Sequence, residues 1–426
     1  MLPIDGGIFH YWFPSCLKAA GSGKKRMSEK GHSPAHLGAQ RIREELRQLR
    51  AQHLYRHRRV LESPQSAEVH VGGETLLSFC SNDYLGLAND TRVIAALREG
   101  AERYGAGSGA SHLVTGHSVA HHALEQELAT FAGAERALLF STGYMANLGV
   151  VSALLGRHGR VFEDKLNHAS LIDAARLSGA QVERYAHGDN ARLEKLLGAT
   201  DGEKIILTDG VFSMDGDVAD VAQLNASALR HGAWLLVDDA HGVGVLGAQG
   251  RGTLEHFGLK PQGPIILLGT LGKAFGTFGA FIAGDTDLID YLIQRARSYI
   301  YTTALPPAIA EATRASLRIV AAEGWRRETL NARIAQFRSG AAQLGLKLLD
   351  SQTPIQPLIL GEAQAALAAS EAFRARGILV AAIRSPTVPA GSARLRITFS
   401  ALHTPAHVER LLEALAALPP GDVKSA

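Results

Sequence analysis

The chain has 426 residues, of which 46% are hydrophobic and 20% charged, with a formal net charge of +3. That balance is ordinary for a globular protein and too weakly basic for a nucleic-acid footprint, and the length exceeds what one hydrophobic core usually fills, so two or more domains are expected. The cysteines, Cys16 and Cys80, are far apart, which argues against a disulfide framework and for a reducing compartment, the cytoplasm; no run of about 18 or more apolar residues marks a membrane span.

Residues 1–36 read as a leader. HYWFP is aromatic, GSGKKR is flexible and basic, and Met27 follows. The stretch lacks a basic start, and His10 and Pro14 interrupt its apolar part, so it is not a convincing signal peptide. The expectation is a disordered leader or a misassigned start, with the native chain beginning near Met27. From Leu37 to about Leu54, the residues Leu37, Ile42, Leu46, Leu49 and Leu54 recur at roughly helical spacing between arginines, an amphipathic helix. GGETLLSFCSNDYLGL then gives a short strand and a turn, followed by a helix through Leu97 and a glycine-rich loop, GAGSGASHLVTG. HSVAHHALEQELATFAG reads as a helix with Leu124, Leu128 and Phe131 on one face and Gly133 past its end.

From Ala137 onward apolar strands alternate with helices: ALLF, RVFED, KIILTDGVF, WLLVDD, IILLGTLG and GAFIAG. Continuous apolar strands separated by helical stretches indicate a parallel sheet covered on both faces. After YTTALPP, Tyr301 to Pro307, long Ala- and Arg-rich helices run to about Leu346. IQPLIL, ARLRITFS and a closing helix then suggest a smaller α/β domain. The expected organisation is an N-terminal helix and arm over 37–75, a large domain over 76–310 and a small domain over 311–426.

TLGKAFG, Thr270 to Gly276, sets Lys273 among small residues directly after a buried strand. Upstream, WLLV ends in Asp238, Asp239 and His241. Alone, Lys273 would read as a solvated surface lysine. A carboxylate and a lysine delivered by two buried strands instead suggest a pyridoxal phosphate (PLP) site, in which the lysine holds the aldehyde as a Schiff base and the carboxylate keeps the pyridine nitrogen protonated. Open α/β sheets bind ligands at the carboxyl ends of their strands, and three more such ends carry candidates. STGYMANLG offers the N–H groups of Gly143 and Tyr144 at a helix start, suited to a phosphate. LNHAS carries His168, and SMDGD carries Ser213 and Asp215.

SNDYLGL, DGVFSMDGD, VDDAHGVGVLG and TLGKAFG, in this order, resemble the α-oxoamine synthases, a family within the aspartate aminotransferase fold group, and the resemblance spans nearly the whole chain from about Leu37. It implies the α/β fold of PLP-dependent transferases: a large domain with a mainly parallel seven-stranded sheet between helices, plus a smaller C-terminal α/β domain. It also implies roles. Lys273 carries the cofactor and later moves protons at the substrate α-carbon, Asp238 pairs with the pyridine nitrogen, and His168 stacks on the ring. Ser213 and His241 lie near its phenolic oxygen, and Thr270 with Gly143 and Tyr144 binds the phosphate. Thr302 and Thr303 reach the phosphate of a second subunit, implying a homodimer with shared sites.

The family condenses an amino acid with an acyl thioester and releases carbon dioxide. AIRSPTVPAGSARLRITFS, with YTTALPP and GASHLVTGHSVAHHALE, is most similar to the members that join L-alanine to a pimeloyl thioester on acyl carrier protein or coenzyme A; members that use glycine or serine share most motifs. By this resemblance Arg384 grips a substrate carboxylate through parallel hydrogen bonds and Thr387 contacts substrate. Among Arg56, Arg58 and Arg59, Arg56 is taken as the family's N-terminal substrate arginine. Ser385 stands where the family's Arg-Pro-Pro-Thr-Val-Pro has its first proline.

Three other readings compete. GVGVLG, Gly242 to Gly247, matches a dinucleotide fingerprint, but Gly250 and Gly252 break the helix it should open, and the acidic residue expected about 20 positions on falls in the apolar run IILL. His117 and His121 have helical spacing for a metal, but no H-E-x-x-H and no third ligand is evident, so they read as polar residues at a helix start. A non-catalytic relative would have lost Lys273; here Lys273, Asp238 and His241 are all present.

Overall fold

The structure is a computed structural model that describes residues 37–418. The leader and the start near Met27 lie outside the described residues. The chain separates into two compact units, 1–51 and 52–426. The described part of the first is the helix Leu37–Ala51, which carries the i,i+4 pair Arg41–Glu45 on its surface.

Among the described residues thirteen strands are numbered in chain order. β1 (Glu68–Val71), β2 (Glu74–Ser78) and β11 (Ile378–Leu379) form one small sheet, and β10 (Ile355–Gly361), β12 (Ala381–Ile383) and β13 (Ala393–Thr398) form another. The large sheet contains β3 (Arg136–Phe140), β4 (Arg160–Asp164), β5 (Gln181–Tyr185), β6 (Lys204–Asp209), β7 (Trp234–Asp238), β8 (Ile265–Thr270) and β9 (Ala280–Gly284), ordered β3-β9-β8-β7-β6-β4-β5. All its pairings are parallel except those of β9, which runs antiparallel to both β3 and β8. The expected seven-stranded, mainly parallel sheet is thus present, with a smaller C-terminal domain built on β10, β13 and β12.

The side chains explain the layering. In β6 every residue is buried, and successive ones enter different cores. Ile206 packs with Leu139, Leu235, Leu267 and the helix Val119–Ala132, while Ile205 and Leu207 pack with Leu236, Ile266 and the helix Gly143–Leu154. This period of two places helices on both faces. Each fully buried Leu or Ile contributes about 1.5–3 kcal/mol.

β5 is a strand that the apolar pattern does not reveal. Its residues QVERY are mostly exposed at the sheet edge, held by parallel pairing to β4. Likewise β1, β11 and β12 are too short or too polar to announce themselves.

Register places the functional edge. Asp209 at the end of β6 pairs with Asp238 at the end of β7, and Asp238 pairs with Leu268 of β8. β13 is buried throughout; its alternation sends Leu395 and Ile397 into the core and turns Arg394 and Arg396 toward the loop Ser213–Asp215 of the large domain.

Candidate active site

Lys273 sits on the turn after β8. Gly276 makes that turn possible: its φ is +65°, and a Cβ there would lie 2.3 Å from the Ala88 amide nitrogen. The lysine loop therefore presses against the backbone of SNDYLGLA. Burial lowers the Lys273 pKa to about 8, with Asp238 opposing the shift and Arg396 adding to it.

A hydrogen-bonded line leads away from the amine. Lys273 Nζ lies 2.8 Å from His241 Nε2, and His241 Nδ1 lies 2.6 Å from the Tyr84 hydroxyl. Tyr84 donates to Asn82 Oδ1, which also accepts from Arg396 Nη1 at 3.2 Å. Because the Tyr84 proton goes to Asn82, Nδ1–H of His241 donates to Tyr84, leaving Nε2 to accept from Lys273. Burial, then Lys273 and Arg396, hold His241 well below the usual imidazole range, consistent with that neutral tautomer.

The two carboxylates at the end of β7 have different tasks. Asp238 Oδ2 accepts from Asn147 Nδ2 at 2.7 Å and Oδ1 from the Ala240 amide. Asp239 turns away: its carboxylate is gripped by the amide and hydroxyl of Thr253. A Cβ at Gly252, where φ is +94°, would lie 1.9 Å from Asp239 Oδ2. Asp239 therefore braces the loop and Asp238 faces the site.

His168 caps the helix Ala169–Ser178 and bonds through Nδ1 to the Ser170 hydroxyl at 2.7 Å. Its amide donates to Asp209 Oδ2 at 2.7 Å. Burial lowers its pKa, with Asp238 and Lys273 acting on it in opposite directions. Burial also raises the Asp209 carboxyl, as does neighbouring Asp238.

Gly143 and Tyr144 begin the helix Gly143–Leu154, capped by the Thr142 side chain. A Cβ at Gly143 would meet Leu268 Cδ2 at 3.6 Å, so this helix start lies over a side chain of β8. Thr270 ends β8, its hydroxyl donating to the Gly279 carbonyl. Ser213 accepts through its carbonyl from Arg396 Nε at 2.6 Å.

Arg56, Arg384 and Thr387 come together apart from this line. Arg56 Nη2 reaches Thr387 Oγ1 at 3.4 Å, and Arg384 Nη1 donates to the His53 carbonyl at 2.6 Å. Burial and the nearby Arg56 charge both lower the Arg384 pKa. Thr303 pairs instead with Ser111 across an isolated bridge, while Thr302 precedes it in the same turn.

Sequence reasoning did not single out Asn147, Tyr84, Asn82 or Arg396. Asn82 and Tyr84 lay inside a quoted motif. Arg396 left a signal in the alternation RLR: Arg394 pairs with Asp215, whereas Arg396 is buried and makes no ion pair among the described residues. Next to this network lies a cavity of about 580 Å³ whose lining includes Arg59, Cys80, Asn82 and Gly276. Burial pushes the Cys80 thiol up to about 12, so it is protonated and no nucleophile.

The residues fit PLP. Asp238 is a buried carboxylate served by neutral donors, with no ion pair among the described residues. A buried anion calls for a cation, and a pyridinium is one. An amine of lowered pKa stands on the turn after the neighbouring strand, and the helix start at Gly143 suits a phosphate.

The chain matches the family "Aminotransferase class I and II" over residues 74–415. It is 63% identical over 377 residues to the 8-amino-7-oxononanoate synthase of Thioalkalivibrio sulfidiphilus, covering 88% of this chain and 96% of that one. A serine palmitoyltransferase from S. paucimobilis, solved with bound PLP and myriocin, superposes with a TM-score of 0.84 at 31% identity, covering 89% of this chain and 97% of that one. The 8-amino-7-oxononanoate synthase from Francisella tularensis gives 0.70 at 34% identity, covering 80% and 97%. Together with the lysine, the buried carboxylate and the sheet that carries them, these likenesses show that the chain belongs to the aminotransferase class I and II family of PLP-dependent enzymes, among its 8-amino-7-oxononanoate synthase relatives.

Proposed function

We propose that this chain condenses L-alanine with a pimeloyl thioester, carried on acyl carrier protein or coenzyme A, to give 8-amino-7-oxononanoate, carbon dioxide and free thiol. This is a step of biotin biosynthesis, run by a cytoplasmic homodimer. The reaction type rests on one observation above the others, the line Lys273–His241–Tyr84–Asn82–Arg396 beside the Asp238 carboxylate. The choice of substrates rests on the relatives' name.

When bound, PLP supplies a conjugated, protonated pyridine that takes up the electrons left as bonds at the substrate α-carbon break. Asp238 holds a proton at the ring nitrogen, and Asn147 fixes the carboxylate's direction. Lys273, lowered to about 8, has a neutral fraction of roughly a tenth at pH 7 that grows toward pH 8, and would use it to hold the aldehyde and, once displaced, to move the α-proton. His241 accepts from Lys273 and so aims its nitrogen. His168, whose pKa burial lowers, would lie against the ring.

Arg396 brings a buried positive charge that makes no ion pair among the described residues, and takes the amino-acid carboxylate. Arg56, Arg384 and Thr387 form a second polar cluster for a substrate carboxylate. Ser213 serves the ring oxygen, and Thr270, Gly143 and Tyr144 serve the phosphate. Thr302 and Thr303 serve the phosphate of the partner's site.

The test is to incubate purified protein and PLP with L-alanine, glycine or L-serine, with and without pimeloyl-coenzyme A, following thiol release and product mass. Thiol release that requires alanine, with 8-amino-7-oxononanoate as product, supports the reading. Thiol release with glycine or serine in its place transfers the chain to another member's chemistry, and none with any amino acid overturns the reading.

A further inference from the structure

The glycine-rich loop ends in a histidine cluster that the condensation does not use. His112, His117, His121, His122 and Glu125 gather where the turn His112–Gly116 meets the helix Val119–Ala132. Two sets of three ligand atoms lie there within 4.8 Å of one another: His112 with His117 and His121, and His117 with His122 and Glu125.

The first set fails on hydrogen-bond grounds. His121 Nδ1 accepts from the Ser118 amide at 3.0 Å, so it carries no proton, and its Nε2–H donates to the Leu305 carbonyl at 2.7 Å. Both ring nitrogens are committed, and His121 is fully buried. It is a structural cap that joins the helix start to Leu305.

The second set is free to coordinate. Glu125 Oε1 accepts from the Leu139 amide at 3.0 Å, which leaves Oε2 directed at His117 Nε2, 3.9 Å away. His122 lies exposed one turn before Glu125, with its Nε2 next to the Gln126 amide at 3.2 Å. His117 Nδ1 lies 2.9 Å from His112 Nδ1. If His117 donates that proton, its Nε2 becomes a lone pair facing Glu125 and His122, the tautomer a metal ligand needs. The ligating histidine then has the partner behind it that metal sites regularly supply.

We propose that His117, His122 and Glu125 bind a divalent transition metal of the zinc class, with His112 positioning His117. The donor set of two imidazoles and one carboxylate suits zinc, and four residues separate the two histidines, within the usual H-x₃₋₅-H spacing. Bonds of about 2.0–2.2 Å require the ligand atoms to draw in from the apo spacing, a motion the exposed His122 side chain supplies. The ion would staple the end of the glycine-rich loop to its helix and, through Leu139, to β3.

Equilibrium dialysis of the tag-free, PLP-loaded full chain against zinc tests this, with cobalt as a spectroscopic substitute for the ligand set. The expected result is one ion per chain, a cobalt spectrum typical of nitrogen and oxygen ligands, and a raised melting temperature in zinc. His122→Ala and Glu125→Gln should each weaken binding more than tenfold, and His112→Ala by roughly 10–100-fold, the usual effect of a partner behind a ligand. Metal-free melting of His122→Ala should match the unaltered chain, since that side chain is exposed. No stoichiometric zinc, or equal affinity in His122→Ala and Glu125→Gln, would mean an adventitious ion only and would overturn the assignment.

Discussion

Asn147 holds the Asp238 carboxylate through a 2.7 Å hydrogen bond from its amide, and the same amide donates to Ser170 at 2.9 Å. One buried asparagine on the helix after β3 thus ties the carboxylate at the end of β7 to the helix that His168 caps. Asn147→Leu should leave PLP bound but lower turnover, and should cost about 1–3 kcal/mol of stability, because it strips a partner from two buried groups. Asp238→Asn should fold and lose roughly 10²-fold or more in turnover. Steady-state rates and thermal melts of both variants check this; an Asp238→Asn enzyme at full rate would remove the carboxylate from the mechanism.

Cofactor capture should titrate with Lys273. Its pKa is lowered from 10.5 to about 8, so the neutral amine grows about tenfold per pH unit below that value and saturates above it. The rate of PLP incorporation into apoprotein should therefore level off near pH 8. A rate still climbing steeply above pH 9 would contradict it. Lys273→Ala should keep its fold and lose both the visible absorption of the bound cofactor and turnover.

Arg396→Lys should spare PLP binding and raise KM for the amino acid. A lost charge-assisted contact is worth about 1.5–3 kcal/mol, or roughly 10–100-fold in kcat/KM. Lysine keeps the charge but cannot reproduce the geometry that reaches both Ser213 and Asn82. An unchanged KM would place the amino-acid carboxylate elsewhere.

His187 lies between two carboxylates, 3.1 Å from Asp164 and 2.9 Å from Asp217, whose hydrogen bonds raise its pKa from 6.5 to about 10. The folded state holds this proton more tightly than the unfolded chain. Its contribution to stability is complete below pH 6.5 and is lost as pH rises through about 10. His187→Gln should lower the melting temperature at pH 6 and narrow its difference from the unaltered chain at pH 10. A difference that does not depend on pH would show that the pair is not formed.

The sequence exposed the residues that lie in glycine-flanked turns after buried strands, because there the chemistry and the turn share a short string. Lys273, Asp238 and His241 were legible for that reason. Asn147 was not, since an asparagine one turn into a helix has no local mark; its importance comes from the packing that sets the helix after β3 beside the end of β7. The resemblance named Asp238 rather than Asp239 for the ring nitrogen, and tertiary contacts turn Asp239 toward Thr253 and Gly252. The edge strand β5 escaped because exposed Gln, Glu and Arg erase the apolar period. For the histidine cluster, helical spacing picked out His121, yet backbone hydrogen bonds remove it as a ligand and bring in His122 and Glu125.

Asn82 and Arg396 share a hydrogen bond although 314 positions separate them in the chain. During synthesis, the segments bearing Tyr84, His241 and Lys273 leave the ribosome well before β13 does. A nascent chain halted short of Ala393 has its amine and carboxylate strands but lacks the arginine that completes the line. Completion of the catalyst is thereby tied to completion of translation, since a product clipped before β13 would lack Arg396 together with the buried Leu395 and Ile397.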